Sequence, residues 1–200
     1  MDSAFVENNG NTLVLSMDYS QLGFRNNESG SSVFISHDKG ESWEDKLSGK
    51  IEPQKVAAGA TDTLAAGFHI NTVRLKDGRL LAMTRGQNGW DINGHITMSY
   101  SNDNGDTWTY RESPFPDIGG GQRLVLMRLN EGPLLLVSFE ESRKFAAVSY
   151  DEGNSWPLRK TIGEGRRGYM AATQTPDNLI HLITSDRYFR FNLPWLEEGQ

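Results

Sequence analysis

Ser101-Asn102-Asp103-Asn104-Gly105-Asp106-Thr107-Trp108 decides how the chain is read, because Ser36-His37-Asp38-Lys39-Gly40-Glu41-Ser42-Trp43 and Ser149-Tyr150-Asp151-Glu152-Gly153-Asn154-Ser155-Trp156 follow the same rule. All three read Ser-x-Asp-x-Gly-x-[Ser/Thr]-Trp, and each closes a β-rich run: HITMSYS, SSVFIS and FAAVSY. The pattern predicts a hairpin turn in which Asp38, Asp103 and Asp151 accept hydrogen bonds from turn N–H groups. Gly40, Gly105 and Gly153 supply the positive φ such a turn requires. Trp43, Trp108 and Trp156 then open the return strand with their rings buried on the sheet, a burial worth on the order of a few kcal/mol each. A motif with these parts is a folding staple that does no chemistry.

Around the staples lies a second repeat. Turn signals at Asn9-Gly10, Asp77-Gly78, Glu131-Gly132 and Asp177-Asn178 are followed by LVLSM, RLLAM, PLLLV and LIHLI, and no stretch sustains helical periodicity. The repeating unit is strand 1, tight turn, strand 2, variable loop, strand 3, box, strand 4. Units fall at about residues 3–47, 68–112, 122–161 and 168–200, the last without a box and ending in a strand-like segment, Tyr188 to Trp195. The connection from Ser48 to Gly67 is the least strand-like part.

The three boxes resemble the Asp box of the sialidase superfamily of BNR-repeat proteins. That resemblance implies an all-β fold, a β-propeller of four-stranded antiparallel blades, with about four blades present here out of the usual six. On this reading residues 1–200 are a single partial propeller domain, either a C-terminal fragment or a truncated relative, whose remaining blades are its partners. The start, Met1 to Glu7, falls inside an expected strand and lacks the basic and apolar stretches of a signal peptide. Family resemblance instead implies a secreted or periplasmic bacterial setting, so the compartment stays open.

Composition narrows the partners. A net charge of -6 argues against nucleic acid, and no apolar run approaches the length of a membrane span. The absence of Cys excludes disulfides, Cys-ligated zinc and a Cys nucleophile. No ligand loop with metal spacing appears, and Gly119-Gly120-Gly121 precedes a strand, not a nucleotide-binding helix. The expectation is therefore no metal and no cofactor.

In an antiparallel meander the 1–2 turns and the boxes share one end, while the 2–3 loops and crossovers share the other. Long polar loops build pockets. The expected site thus draws on residues 18–30, 48–71, 85–95, 112–123, 140–144, 161–169 and 185–188. Seven arginines fall there, Arg25, Arg85, Arg123, Arg143, Arg166, Arg167 and Arg187, in a chain of thirteen Arg and seven Lys. The guanidinium fork suits an anionic ligand. Arg85 and Arg123 flank expected inner strands, as do His69 and Tyr169, and Trp90, beside Asp91 and His95, is expected either at the rim as a sugar platform or as a cap on the blade core.

The resemblance implies a mechanism: three arginines hold the substrate carboxylate, a Tyr assisted by a Glu is the nucleophile, and an Asp is the acid/base. A neutral phenol suits an anomeric carbon that bears a carboxylate. By that analogy Arg85, Arg123 and Arg167 bind substrate, Tyr169 or Tyr188 is the nucleophile, Glu140 or Glu112 its partner, and Asp91 or Asp18 the acid. The family's Phe-Arg-Ile-Pro motif has no match in the chain. Three readings stay open: a sialidase-like glycoside hydrolase acting on an acidic sugar, a lyase or other glycan hydrolase using His69 and Tyr169, and a non-catalytic glycan- or protein-binding propeller.

Overall fold

The computed structural model describes residues 3–7, 10–19, 30–46, 56–86, 89–165 and 168–198. It is all-β apart from one short helix. A first sheet holds β1 (Ser3–Val6), β2 (Leu13–Tyr19), β3 (Gly30–Ser36) and β4 (Glu44–Asp45) in sequential order. A second holds β5 (Thr61–Asp62), β6 (Phe68–Arg74), β7 (Leu80–Arg85), β8 (His95–Ser101) and β9 (Trp108–Pro116) in the order β5-β9-β8-β7-β6. The third comprises β10 (Val125–Arg128), β11 (Leu134–Glu140), β12 (Arg143–Ser149) and β13 (Leu158–Glu164). The fourth comprises β14 (Met170–Gln174), β15 (Ile180–Thr184) and β16 (Tyr188–Phe191), followed by α1 (Leu193–Glu197). Every pairing is antiparallel. The chain divides into two compact units, one ending at Asp117 and one beginning at Ile118.

The middle strands explain why the sheets pack on both faces. β7 (LLAMTR) and β11 (LLLVSFE) are buried at all but their last residues, whereas the outer strand β13 is buried only at Leu158 and half-buried or exposed beyond it. Within the first unit, Val14, Val33 and Ile35 of the first sheet share a core with Ile70, Leu80, Ala82, Trp108 and Tyr110 of the second. Two buried polar contacts fix that packing: Ser16 Oγ donates to Thr72 Oγ1 at 3.0 Å, and Ser31 Oγ to the Gly67 carbonyl at 2.9 Å.

The three boxes are near copies of one hydrogen-bond scheme. In the second, Ser101 Oγ donates to Asp103 Oδ1 (2.7 Å) and accepts from Gly105 N (2.7 Å), while Thr107 N and Oγ1 donate to the two Asp103 oxygens at 2.9 and 2.6 Å. Ser36, Asp38, Gly40 and Ser42 repeat it, as do Ser149, Asp151, Gly153 and Ser155. Lys39-Gly40, Asn104-Gly105 and Glu152-Gly153 are all left-handed, with φ between 58 and 97°. Hydrogen bonds to the ionised form hold the carboxylates below the usual range: for Asp38 and Asp151 the largest is the hydroxyl of Ser42 or Ser155, and for Asp103 the bonds from Thr107 and Ser101 outweigh an opposing burial effect.

The expectation of buried tryptophans holds for the second box alone, since Trp156 is half-buried and Trp43 is exposed. Trp108 is fully buried, with Nε1 donating to the Gly105 carbonyl at 3.1 Å, but Trp43, making the same bond to Gly40, is 42% exposed. The second box lies against β3 of the first sheet, where a Cβ on Gly105 would collide with Val33. Among the described residues Trp43 has no such cover.

Two elements escaped the sequence reading. β5 comes from the stretch between Ser48 and Gly67, where Thr61 and Asp62 pair with Thr109 and Trp108 at the edge of the second sheet. The segment from Tyr188 to Trp195 is not one strand: after β16 the chain turns at Asn192, whose side chain caps α1 by accepting from Trp195 N. Pro194 in the first turn has a pre-set φ and needs no hydrogen-bond donor there.

Candidate functional site

Arginine side chains mark the box end of two sheets. Arg74 Nη1 bonds the Gly78 carbonyl (2.9 Å) and Asn104 Oδ1 (2.6 Å), tying the β6–β7 turn to the second box. At the corresponding place Arg128 Nη1 bonds the Gly132 carbonyl (2.6 Å) and, with Nη2, clasps the Glu152 carboxylate at 3.0 and 2.6 Å. The loops after β7 and β11 therefore lie at the opposite ends of their own sheets.

In the first unit that end is built around a distorted β6. The β6–β7 register shifts between Phe68 and Asn71, and His69 is left-handed at φ 56°. A bulge of this kind re-aims a side chain and concentrates at functional sites. Asn71 Nδ2 donates to the His69 carbonyl at 3.0 Å and holds the bulge. Phe68 lies opposite Arg85, so His69 and Arg85 sit at one end of one strand pair. Asp91 Oδ1 accepts from Gly94 N at 2.8 Å, which folds the loop back on itself.

Asp117, not singled out by the sequence reading, accepts the Gly86 N–H at 2.5 Å. A Cβ on Gly86 would sit 2.9 Å from Asp91 Cβ and 2.8 Å from Asp117 Cγ, so the backbone after Arg85 threads between two acidic residues. The only signal in the sequence was its place at the head of a polar, Gly-rich loop. His95 Nδ1 lies 2.8 Å from Glu112 Oε1, and Asn93 Nδ2 donates to Glu112 Oε2 at 2.8 Å. Trp90 is no rim platform: it is 4% exposed and its ring lies 5.6 Å from that of Phe68, inside the core. The apolar neighbours Phe68 and Ile92 pull it inward.

In the second unit, the backbone at Arg123 meets the residue that precedes Tyr169. Arg123 N donates to the Gly168 carbonyl at 3.1 Å, setting the arginine beside the start of β14, where Tyr169 is 48% exposed. Ser185 Oγ grips Tyr169 on both sides, accepting from its N–H (3.0 Å) and donating to its carbonyl (3.3 Å). Glu140, at the end of β11, pairs with Arg159 Nη2 at 2.8 Å. Tyr188 bonds His181 Nδ1 through its hydroxyl at 2.6 Å. Arg25, Arg166 and Arg167 lie outside the described residues, as does the side chain of Asp18. Among the described residues no three His, Asp or Glu side chains group as metal ligands, and no helix is long and apolar enough to cross a membrane.

Residues 4–182 match the family model of the BNR repeat-like domain. The chain belongs to that family. This BNR repeat-like chain is 28% identical over 157 residues to a sialidase of Micromonospora viridifaciens, covering 68% of the chain and 24% of the relative. It is 27% identical over 144 residues to a sialidase of Paraclostridium sordellii, covering 66% and 34%. The chain thus spans about a quarter to a third of the length of these curated relatives. In fold it is similar to the NanB sialidase of Streptococcus pneumoniae, with a TM-score of 0.61 at 15% identity over 96% of the chain and 30% of NanB. A GH43 β-1,3-galactosidase also matches, with a TM-score of 0.58 at 11% identity over 95% of the chain and 44% of that protein.

Proposed function

We propose that the chain forms part of a sialidase-like glycoside hydrolase that acts on an acidic sugar at the sheet ends opposite the Asp boxes. Its sheets would be blades, at about residues 3–47, 68–112, 122–161 and 168–200, of a larger propeller. The observation that supports the reading is the Arg123 N–H bond to the Gly168 carbonyl, which brings the backbone at Arg123 next to the residue preceding the exposed Tyr169. An anion-binding fork next to a neutral nucleophile suits a sugar whose anomeric carbon carries a carboxylate.

In the proposed step Tyr169 Oη loses its proton to a carboxylate base and attacks the anomeric carbon. The glycosidic bond breaks, and its oxygen takes a proton from the acid. Water then cleaves the tyrosyl-sugar bond and restores the phenol. Glu140 is the proposed base, and it must exchange its Arg159 contact for the phenol to act. The roles of Asp91 as acid and of Arg85, Arg167 and His69 as substrate contacts rest on family resemblance alone.

Incubating the full-length protein with a fluorogenic sialoside tests the reading. Turnover is expected, and Tyr169→Phe is expected to lower kcat about a thousandfold. A folded protein without turnover would exclude the hydrolase, and a Tyr169→Phe variant that keeps full ligand affinity without any turnover in either form would favour a binding propeller.

A further inference from the structure

Lys144 stands second in β12 with its side chain fully buried, and among the described residues no other Lys, Arg, Asp or Glu is buried. The β12–β13 register shifts between Lys144 and Phe145, where β13 carries one extra residue, Ile162, while Lys144 itself stays paired with Phe139 and Gly163. Its Nζ lies 3.1 Å from Asp186 Oδ1 and 3.4 Å from Oδ2, and 5.9 Å from the centre of the Phe139 ring. Asp186 Oδ1 also accepts from Thr184 Oγ1 at 2.8 Å. Space for the pair comes from Gly165, where a Cβ would meet Lys144 Nζ at 2.9 Å and the Asp186 carboxylate as well.

An ion pair in this position contributes little net stability, because desolvation of the buried Lys144 offsets its attraction to Asp186, whose side chain is 21% exposed. An apolar pair of the same volume would cost little stability. What the pair has and an apolar pair lacks is direction: it fixes where Asp186 sits, and with it the turn between β15 and β16. That turn is further tied by Thr184 N to the Arg187 carbonyl (2.8 Å) and by Arg187 N to Thr184 Oγ1 (3.1 Å). Its next residue, Ser185, is the one that holds both backbone polar groups of Tyr169.

We propose that Lys144 and Asp186 are positioning residues for Tyr169, acting through the 184–187 turn and the Ser185 hydroxyl. Neither touches substrate. The proposal deepens the hydrolase reading and rests on Tyr169 as its nucleophile. Placement of Tyr169 is, however, measurable without any turnover.

The test compares the full-length wild type with Lys144→Met/Asp186→Leu, and with Ser185→Ala, which leaves the Lys144–Asp186 pair intact. Hydrogen exchange is followed at the Tyr169 amide, alongside Tm and sialoside kinetics. The double variant is expected to keep its Tm and the protection of β11 and β12, while the Tyr169 amide exchanges about tenfold faster or more and kcat falls by a similar factor. Ser185→Ala is expected to reproduce both effects. Unchanged Tyr169 protection in folded Ser185→Ala or in the folded double variant would overturn the proposal. So would a loosened amide with wild-type kcat while Tyr169→Phe is inactive. If instead Tyr169→Phe turns over substrate like wild type, the nucleophile reading fails, and the exchange data still decide whether the pair places Tyr169.

Discussion

Trp108 and Trp43 hold the same place in the same eight-residue pattern and donate the same indole hydrogen bond, yet the first is sealed and the second is 42% exposed. Identical local chemistry therefore gives unequal energies. Trp108→Ala is expected to cost about 3–5 kcal/mol, and Trp43→Ala about 1 kcal/mol or less, since much of its surface is already in water. Urea unfolding of the two variants checks the contrast, and equal losses would contradict it. The same lesson governs what could be read at single positions. Trp90 stood in a Gly-, Asn- and Asp-rich loop, where local pattern does not say which way a ring turns; the nearby Phe68 and Ile92 decide it. Nor does anything in Phe68-His69-Ile70-Asn71 announce a left-handed histidine, because the bulge arises from pairing with β7. Arg123 and Tyr169 were legible as candidates, but their adjacency was not, for it depends on a backbone bond between residues 45 positions apart. For substrate binding, Arg123→Lys is expected to raise KM about tenfold, because an ammonium cannot form the bidentate carboxylate pair. An unchanged KM would remove Arg123 from the proposed site.

At the level of elements, the Asp boxes make stability depend on pH. Asp38, Asp103 and Asp151 titrate below the ordinary carboxylate range when folded, so between that range and their folded values the unfolded chain binds more protons. Their contribution is complete above about pH 4 and is lost as pH falls through the folded values. Tm should fall from pH 5 to pH 2, and Asp103→Asn should flatten that slope while lowering Tm at neutral pH. A slope identical to wild type would show that the box carboxylate is not linked to folding. Gly105→Ala should destabilise more than Gly132→Ala, because both backbones have positive φ but only the first site is crowded, by Val33 and Trp108. The longer strands were plain in the sequence because alternating or continuous apolar runs are bracketed by turn residues. β5 was not: two residues in an Ala-, Gly- and Thr-rich stretch gain their strand character only by pairing with β9. α1 spans a single turn or so, too short for any periodic signal, although Asn192 followed by Pro194 is a local cue for a helix start.

For the molecule as a whole, three copies of one staple made the all-β architecture and the family legible, because a staple repeats wherever the sheet repeats. Activity was not legible in the same way. It depends on side chains brought together by loops, and the chain spans only 24% and 34% of the two sialidases it matches in sequence. The role proposed for Tyr169 is attack on the sugar. It is tested most directly by treating the full-length protein with a fluorinated sialoside that slows breakdown of a glycosyl-enzyme intermediate, followed by mass mapping of the peptides. The account predicts one sugar adduct, on the peptide carrying Tyr169, absent in Tyr169→Phe; an adduct on another residue, or turnover with no adduct at Tyr169, would contradict it.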